Sequence, residues 1–427
     1  MLIQFTVKNW RSIRDEQTII MTKSIGDEMR DTNTFQPTAP GTTELLRAIA
    51  IYGPNASGKS NLLNAMKTMQ AIVVESASQR QRGDDLPIVS FLLDSETEQA
   101  PTEFEIIFIA EQIRYQYGFS ATRQRIIQEW LLAYPVKRAR KWFTREWDEE
   151  KSDYAWEMGT SLQGQKQLWQ DATRQNALFL STAVQLNSQQ LQPIYDWFLN
   201  ALHLANVSGW SPTFTAALCK KDVKQRNKVL AFLKAADLDI HDVSVESEKF
   251  TVKHLPDDMP EDLKNQVLLD LKDKEVLDIK TIHHSKQGKS VTFDFEDESD
   301  GTRKFFAFAG PWLDSLANGY VLVIDELHDN LHPKMIQFLV ALFHNSDTNP
   351  KNAQLVFTTH ETSILNQEVF RRDQIWFCEK DRDQATKIYP LSDFSPRKGR
   401  ENLEANYLAG RYGALPYLRE LKSVNGN

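Results

Sequence analysis

Ile51-Tyr-Gly-Pro-Asn-Ala-Ser-Gly-Lys-Ser60, running on into Asn61-Leu-Leu-Asn-Ala-Met-Lys67, decides how this chain folds. The stretch fits G-x-x-x-x-G-K-[ST], with Gly53, Gly58, Lys59 and Ser60 at the fixed positions. Its flanks agree with that reading. Ala48-Ile-Ala-Ile-Tyr52 is a short apolar run that reads as a buried strand, and Leu62, Leu63 and Met66 recur at the spacing of one helix face. Between strand and helix the glycines let the backbone curl until several N–H groups point inward, at the positive end of the helix. A nest of this kind holds phosphate, and its wall here is Gly53, Pro54, Asn55, Ala56, Ser57, Gly58, Lys59, Ser60 and Asn61. Lys59 stands where it would reach the β- and γ-phosphates, and the Ser60 hydroxyl where it would ligate Mg²⁺.

The chain has 427 residues, long enough for two or more domains, with an ordinary balance of 41% hydrophobic and 25% charged residues. No apolar run approaches the roughly 18–20 residues that cross a bilayer, and the alternating start Met1 to Trp10 lacks the features of a secretory leader. Cys219 and Cys378, the only cysteines, are too few for a disulfide framework or a thiolate zinc site. A cytoplasmic protein without a membrane partner is expected. The net charge of −8 argues against a surface that coats nucleic acid generally, although a local basic patch is compatible with it.

In chain order, 2–7 and 17–21 read as strands joined through Asn9-Trp-Arg-Ser12, and 22–43 reads as a loop. The segments 102–109 and 113–119 form a hairpin, which 126–134 and 141–147 extend as a meander. A helical texture follows, with helices expected over 191–204, 223–235 and 261–271, and strands at 242–246, 250–253, 277–282 and 290–295. The second chemical centre is Tyr320-Val-Leu-Val-Ile-Asp-Glu326, an apolar strand with two carboxylates at its C-terminal end, where open α/β sheets present ligands. Asp325 would hold Mg²⁺ and Glu326 would polarise the attacking water as general base. Ser299 and Gly301, in Glu298-Ser-Asp-Gly-Thr-Arg-Lys304, open another helix at a position that suits a phosphate or a simple N-cap. Leu355-Val-Phe-Thr-Thr-His360 is a further buried strand ending in histidine.

The order of these four features resembles the ABC-type ATPases of the SMC/RecF/OLD group. Gly53 to Ser60 has that group's Pro-Asn form of the phosphate loop, and Asn9, Arg11 and Ser12 resemble its N-terminal element that touches nucleotide. Ser299-Asp-Gly-Thr302 resembles the signature loop, with Asp300 where transporters carry a second glycine, and Asp325-Glu326 resembles the Walker B pair. His360 resembles the switch histidine and Gln185 a Q-loop metal ligand; a helix-capping role for Gln185 is the alternative. Tyr407-Leu-Ala-Gly-Arg-Tyr-Gly-Ala-Leu-Pro416 and Leu391-Ser-Asp-Phe394 resemble the short RloA/AbiLi-type ATPases of bacterial phage-defence loci.

The resemblance implies an α/β fold: an ABC-type head with a mixed sheet, an antiparallel β subdomain and an inserted, mainly helical lobe. It divides the chain into 1–185, 186–304 and 305–427. It further implies Mg-dependent ATP hydrolysis, with Lys59, Glu326 and His360 catalytic. ATP would sit between subunits of a head-to-tail dimer, Ser299 and Gly301 acting in trans. An effector from a neighbouring gene, a nuclease such as a RloB-like protein, is the expected partner; an ATP-gated DNA clamp is the alternative function.

Other features have blander readings. His328 and His332 are spaced i, i+4, but Asp329 stands where the zinc-protease motif needs glutamate. Asp381-Arg-Asp383 reads as a hairpin turn rather than a nuclease metal pair. Lys137 to Arg145 interleaves basic residues with Trp142 and Phe143, which suits either a nucleic-acid backbone with stacking or a charged edge strand.

Overall fold

The computed structural model describes residues 1–205, 211–252, 255, 259–270 and 275–416. They divide into two compact units, Met1–Val207 with Leu316–Asp329 and Ile336–Asn427, and Ser208–Ser315 with Asn330–Met335.

The larger unit is built on two sheets. The first has six strands in the order Leu202–Ala205, Val321–Ile324, Gln354–Thr358, Ala48–Tyr52, Ile375–Lys380 and Thr386–Pro390. Its first five strands are parallel and the last closes an antiparallel hairpin. Val321–Ile324, Gln354–Thr358 and Ala48–Tyr52 are buried at every position, as mainly apolar strands covered on both faces should be. The second sheet is antiparallel throughout and has seven strands, in the order Asp153–Met158, Arg140–Asp148, Ile126–Tyr134, Ile113–Ala121, Thr102–Ala110, Leu2–Lys8 and Gln17–Ile20. Thr102–Ala110 alternates buried and half-buried side chains over its first six residues, the period-2 pattern of a one-sided sheet. The helix Lys59–Glu75 buries Leu62, Leu63, Met66, Met69, Ile72 and Val73 in one cluster with Ile49, Ile51 and Val356 of the parallel sheet and Phe104, Ile106 and Phe108 of the antiparallel one. The phosphate-loop helix is thus anchored by its whole apolar stripe.

The smaller unit carries the antiparallel strands Asp242–Lys249, Glu275–His284 and Ser290–Asp294, the helices Thr213–Lys221 and Val223–Ala235, and the first part of the helix Asp300–Asn318. Two of the helices touch closely, Thr215 Oγ1 donating to Ala307 O at 3.2 Å and accepting from Gly310 N at 3.0 Å.

Several expectations change. Residues 202–204, read as the end of a helix, form with Ala205 a strand paired in parallel with Val321–Ile324. Edge pairing satisfies their backbone groups and outweighs the helical spacing of the apolar residues. That strand and the helix Gln192–Asp196 belong to the larger unit, and the smaller compact unit is Ser208–Ser315 with Asn330–Met335 where a lobe over 186–304 is expected. The expected strand 250–253 is irregular over 250–252, and Lys253, like Leu271 of the expected helix 261–271, lies outside the described residues. The basic hairpin is also redefined. Arg140–Asp148 lies between two strands and is no edge, Trp142 and Phe143 are core, and Arg145 is buried against Glu129. No aromatic is left there for bases to stack on.

Candidate functional site

Strand register brings the site together. Thr358 pairs with Ile51 and Ile324 pairs with Phe357, so the strands preceding Gly53, Asp325 and His360 all end at one edge of the parallel sheet. Residues some 300 positions apart in the chain therefore share one crevice.

The loop after Tyr52 is shaped by close approach. Gly58 has a φ of 111°, and a Cβ there would overlap Thr386 Oγ1; a Cβ on Gly53 would overlap the Cys378 carbonyl. Glycine alone fits both positions. Lys59 is 5% exposed, and its Nζ donates to the carbonyls of Gly53 at 2.8 Å and Pro54 at 3.0 Å. The third neighbour of Nζ is His360 Nε2 at 3.1 Å. No carboxylate among the described residues forms an ion pair with Lys59, so a buried cation is held by neutral acceptors alone. Burial lowers its pKa, with Asp325 and Glu326 opposing the shift. The Ser57 hydroxyl, buried in the same loop, has no hydrogen-bond partner among the described residues. An uncompensated cation and an orphaned hydroxyl in one glycine-shaped cradle suit an anion.

His360 is pushed down to about 4 by burial first and by the neighbouring Lys59 second, and is therefore neutral near pH 7. As a neutral acceptor towards Lys59 through Nε2, the ring carries its proton on Nδ1. His360 Nε2 also stands 4.0 Å from Glu326 Oε1. Asp325 is 7% exposed and accepts from the Thr358 hydroxyl at 2.6 Å. Asp325 and Ser60 offer the hard oxygen donors that Mg²⁺ prefers.

Support comes from residues the motif leaves out. Thr386 Oγ1 donates to Ser57 O at 2.8 Å and lies 2.8 Å from Ser12 Oγ, which accepts from Asn61 Nδ2 at 2.8 Å. Trp10 Nε1 donates to Asn61 O at 3.0 Å. Asn9, expected at the nucleotide, is buried and turned away. Its Nδ2 donates to Thr97 O at 2.7 Å and Ala100 O at 2.8 Å, and its Oδ1 accepts from Phe91 N at 2.9 Å. Arg11 is exposed, with its guanidinium 5.1 Å from the Trp10 ring centroid. Gln185 does not join the cluster. Ser181 Oγ donates to Val73 O, 13 residues along the helix from Ser60 and so about 20 Å away. The single turn from Ser181 to Gln185 spans only about 6 Å, and the Gln185 side chain is exposed at the end of its helix.

In the smaller unit Ser299 caps the helix Asp300–Asn318. Its Oγ accepts from Thr302 N at 3.1 Å, it is exposed, and a Cβ on Gly301 would stand 3.2 Å from Asn330 O. Glu298 braces this turn, accepting from Thr281 Oγ1 at 2.6 Å with His283 Nε2 at 2.7 Å. His328 Nδ1 accepts from His360 N at 3.4 Å, and His332 Nδ1 accepts from Lys334 N at 3.2 Å. Among the described residues no group of three or more His, Cys, Asp or Glu could hold a metal ion. Asp381 Oδ1 accepts from Asp383 N and Ala385 N, both at 2.9 Å, as a hairpin turn requires.

A comparison with curated proteins gave no match. Among solved structures the chain is similar to the SMC head domain from Thermotoga maritima, at 10% identity and a TM-score of 0.39, over 91% of this chain and 98% of that one. It is similar to an Smc head domain with an extended coiled coil, bound to the C-terminal domain of ScpA derived from Pyrococcus furiosus, at 12% identity and a TM-score of 0.41, over 91% and 96%. The recombination mediator protein RecF-ATP of the RecFOR pathway is similar at 14% identity and a TM-score of 0.34, over 85% and 94%. Scores this low add no argument of their own. The family model described as "AAA domain, putative AbiEii toxin, Type IV TA system" matches residues 48–366, well over half of the chain and both carboxylate and phosphate-loop motifs. The chain belongs to this family of AAA domains.

Proposed function

We propose that the protein binds ATP with Mg²⁺ and hydrolyses it, as an ABC-type ATPase that senses or regulates within a prokaryotic anti-phage system and works with a separate effector, a nuclease. The observation that carries the ATPase reading is the buried Lys59 Nζ, held by two loop carbonyls and a neutral histidine at the sheet edge where Asp325 and Glu326 also end. Phosphate would exchange those carbonyls for charged oxygens and relieve the uncompensated burial. Ser60 and Asp325 would hold Mg²⁺, which when bound neutralises charge between the β- and γ-phosphates. Glu326 takes the proton of the attacking water, and His360, neutral near pH 7, accepts a hydrogen bond beside it without adding positive charge. Ser299 and Gly301, at the exposed N-terminus of a 19-residue helix, would grip the γ-phosphate bound by a second subunit. The defence context rests on the family description, with its toxin and Type IV TA system, and on the resemblance of 407–416 to RloA/AbiLi-type ATPases.

The test measures a fluorescent ATP analogue and phosphate release side by side. Lys59→Ala should abolish tight binding, whereas Glu326→Gln should bind normally and lose turnover by roughly 10²–10⁴. Unchanged nucleotide affinity in folded Lys59→Ala protein refutes the assignment.

A further inference from the structure

We infer that Thr358 is a positioning residue for hydrolysis, its hydroxyl bolting the metal-side carboxylate Asp325 to the backbone of the base Glu326. Thr358 is fully buried at the end of the strand Gln354–Thr358, beside Val321–Ile324. Its Oγ1 donates to Asp325 Oδ1 at 2.6 Å and accepts from Glu326 N at 2.8 Å. These directions are fixed. A backbone N–H can only donate, so the one hydroxyl proton goes to the carboxylate. Asp325 is then held as an acceptor through Oδ1, and Oδ2 takes no part in this bond. The Thr358 carbonyl accepts from Leu327 N at 3.1 Å, so one residue ties down both peptide groups flanking Glu326.

That tether matters because Glu326 is not in a relaxed conformation. Its φ is +53°, the left-handed region, which a side chain with a Cβ avoids. Such a residue persists where its surroundings over-determine it. Here the restraints are Thr358 Oγ1 on its N–H and Asp329 N on its carbonyl, at 3.1 Å. The left-handed turn aims the Glu326 side chain towards His360, whose Nε2 lies 4.0 Å from Oε1. Without the hydroxyl, Glu326 N–H loses its acceptor and the turn can relax to an ordinary φ, carrying the carboxylate away. Lys59 and the phosphate loop make no bond to Thr358. Nucleotide binding and turnover should therefore separate.

The inference rests on the ATPase reading above. Thr358→Val keeps the branched shape but removes the hydroxyl, and Thr358→Ser keeps the hydroxyl; both are compared with wild type for ATP-analogue affinity, kcat and KM. The expected result is affinity and KM within about two-fold of wild type, kcat lower by roughly 10²-fold for valine, and recovery of most of that loss by serine. If the valine variant does not fold, Thr358→Ala takes its place as the hydroxyl-free form. A folded hydroxyl-free variant with wild-type kcat overturns the inference, as does an equal loss in the serine variant, which would trace the effect to packing. A wild-type protein that neither binds nor hydrolyses ATP overturns the underlying reading instead, and is recognised because the fault then lies in the wild type.

Discussion

Glu129 and Arg145 form an ion pair in which neither side chain has any exposure, and breaking it from one side should be costly. Glu129 accepts from Tyr117 Oη at 3.0 Å, Phe179 N at 2.7 Å and Leu180 N at 3.0 Å. Its Oε2 lies 3.0 Å from Arg145 Nε, off the hydrogen-bond direction, so that contact is chiefly charge on charge. Arg145 donates from Nη2 to Ala177 O at 2.5 Å, packs 4.8 Å from the Tyr154 ring centroid, and leaves Nη1 without a partner among the described residues. Glu129→Gln keeps the shape but leaves the guanidinium buried and uncompensated, which costs about 3–5 kcal/mol. At about 2–4 °C per kcal/mol for a large domain, the main melting transition should fall by roughly 6–20 °C. Removing the charge on the other side as well, Glu129→Gln with Arg145→Leu, should recover part of that, because the buried cation goes while an amide oxygen still accepts from Tyr117 Oη and Leu180 N. Calorimetry of the three proteins is the assay. A Glu129→Gln midpoint within about 2 °C of wild type would mean that water reaches Arg145, and the burial argument fails.

Two further results are expected. His360 and His344 have imidazoles depressed to about 4 and about 3 by burial, below the unfolded value of about 6.5, so both are neutral when folded and charge on unfolding. Their contribution is whole above about pH 6.5 and is lost as pH falls towards 4; urea midpoints should drop across that window, and less in His344→Gln, whose side-chain oxygen can still accept from Gln374. An unchanged slope in that variant removes His344 from the account. Ser299→Arg should leave analogue binding intact and stop turnover, and mixing it with Lys59→Ala should restore activity through one competent composite site; wild-type turnover by Ser299→Arg alone refutes action in trans.

What was legible in the sequence was whatever a fixed spacing imposes. The phosphate loop needs glycine where its backbone meets Cys378 and Thr386, so the motif is visible without knowing those partners. The strands 48–52 and 321–324 and the centre of 354–358, Leu355-Val-Phe357, are apolar because both faces are covered. Residues 202–205 misled because four residues of mixed apolar type carry no period of their own, and pairing with Val321–Ile324 settles them. Arg145 misled for the opposite reason: a run of basic residues looks like one surface, yet the strand's alternation turns Arg145 inwards and leaves Arg140 and Lys141 exposed. Nothing local marks Glu129 as its partner 16 residues earlier.

In the N-terminal element the side chains of Asn9 and Ser12 bond protein groups where the resemblance implies contacts with nucleotide. Thr386 Oγ1 donates to Ser57 O, which uses its only proton. Toward Ser12 it must therefore accept, so the Ser12 proton is committed as well, and Ser12 Oγ accepts in turn from Asn61 Nδ2. The bonds run one way, from Asn61 through Ser12 and Thr386 to the carbonyl in the phosphate loop. Asn9 is spent on the 91–100 segment by its own three hydrogen bonds. Ser12 thus braces the loop from behind, Asn9 ties the same element to the 91–100 segment, and Arg11 keeps an exposed side chain at a φ of +49°. The hairpin that carries Thr386 closes the same brace from the far end of the chain, so the start of the sequence, its phosphate loop and its last strand pair form one mechanical unit around Gly58.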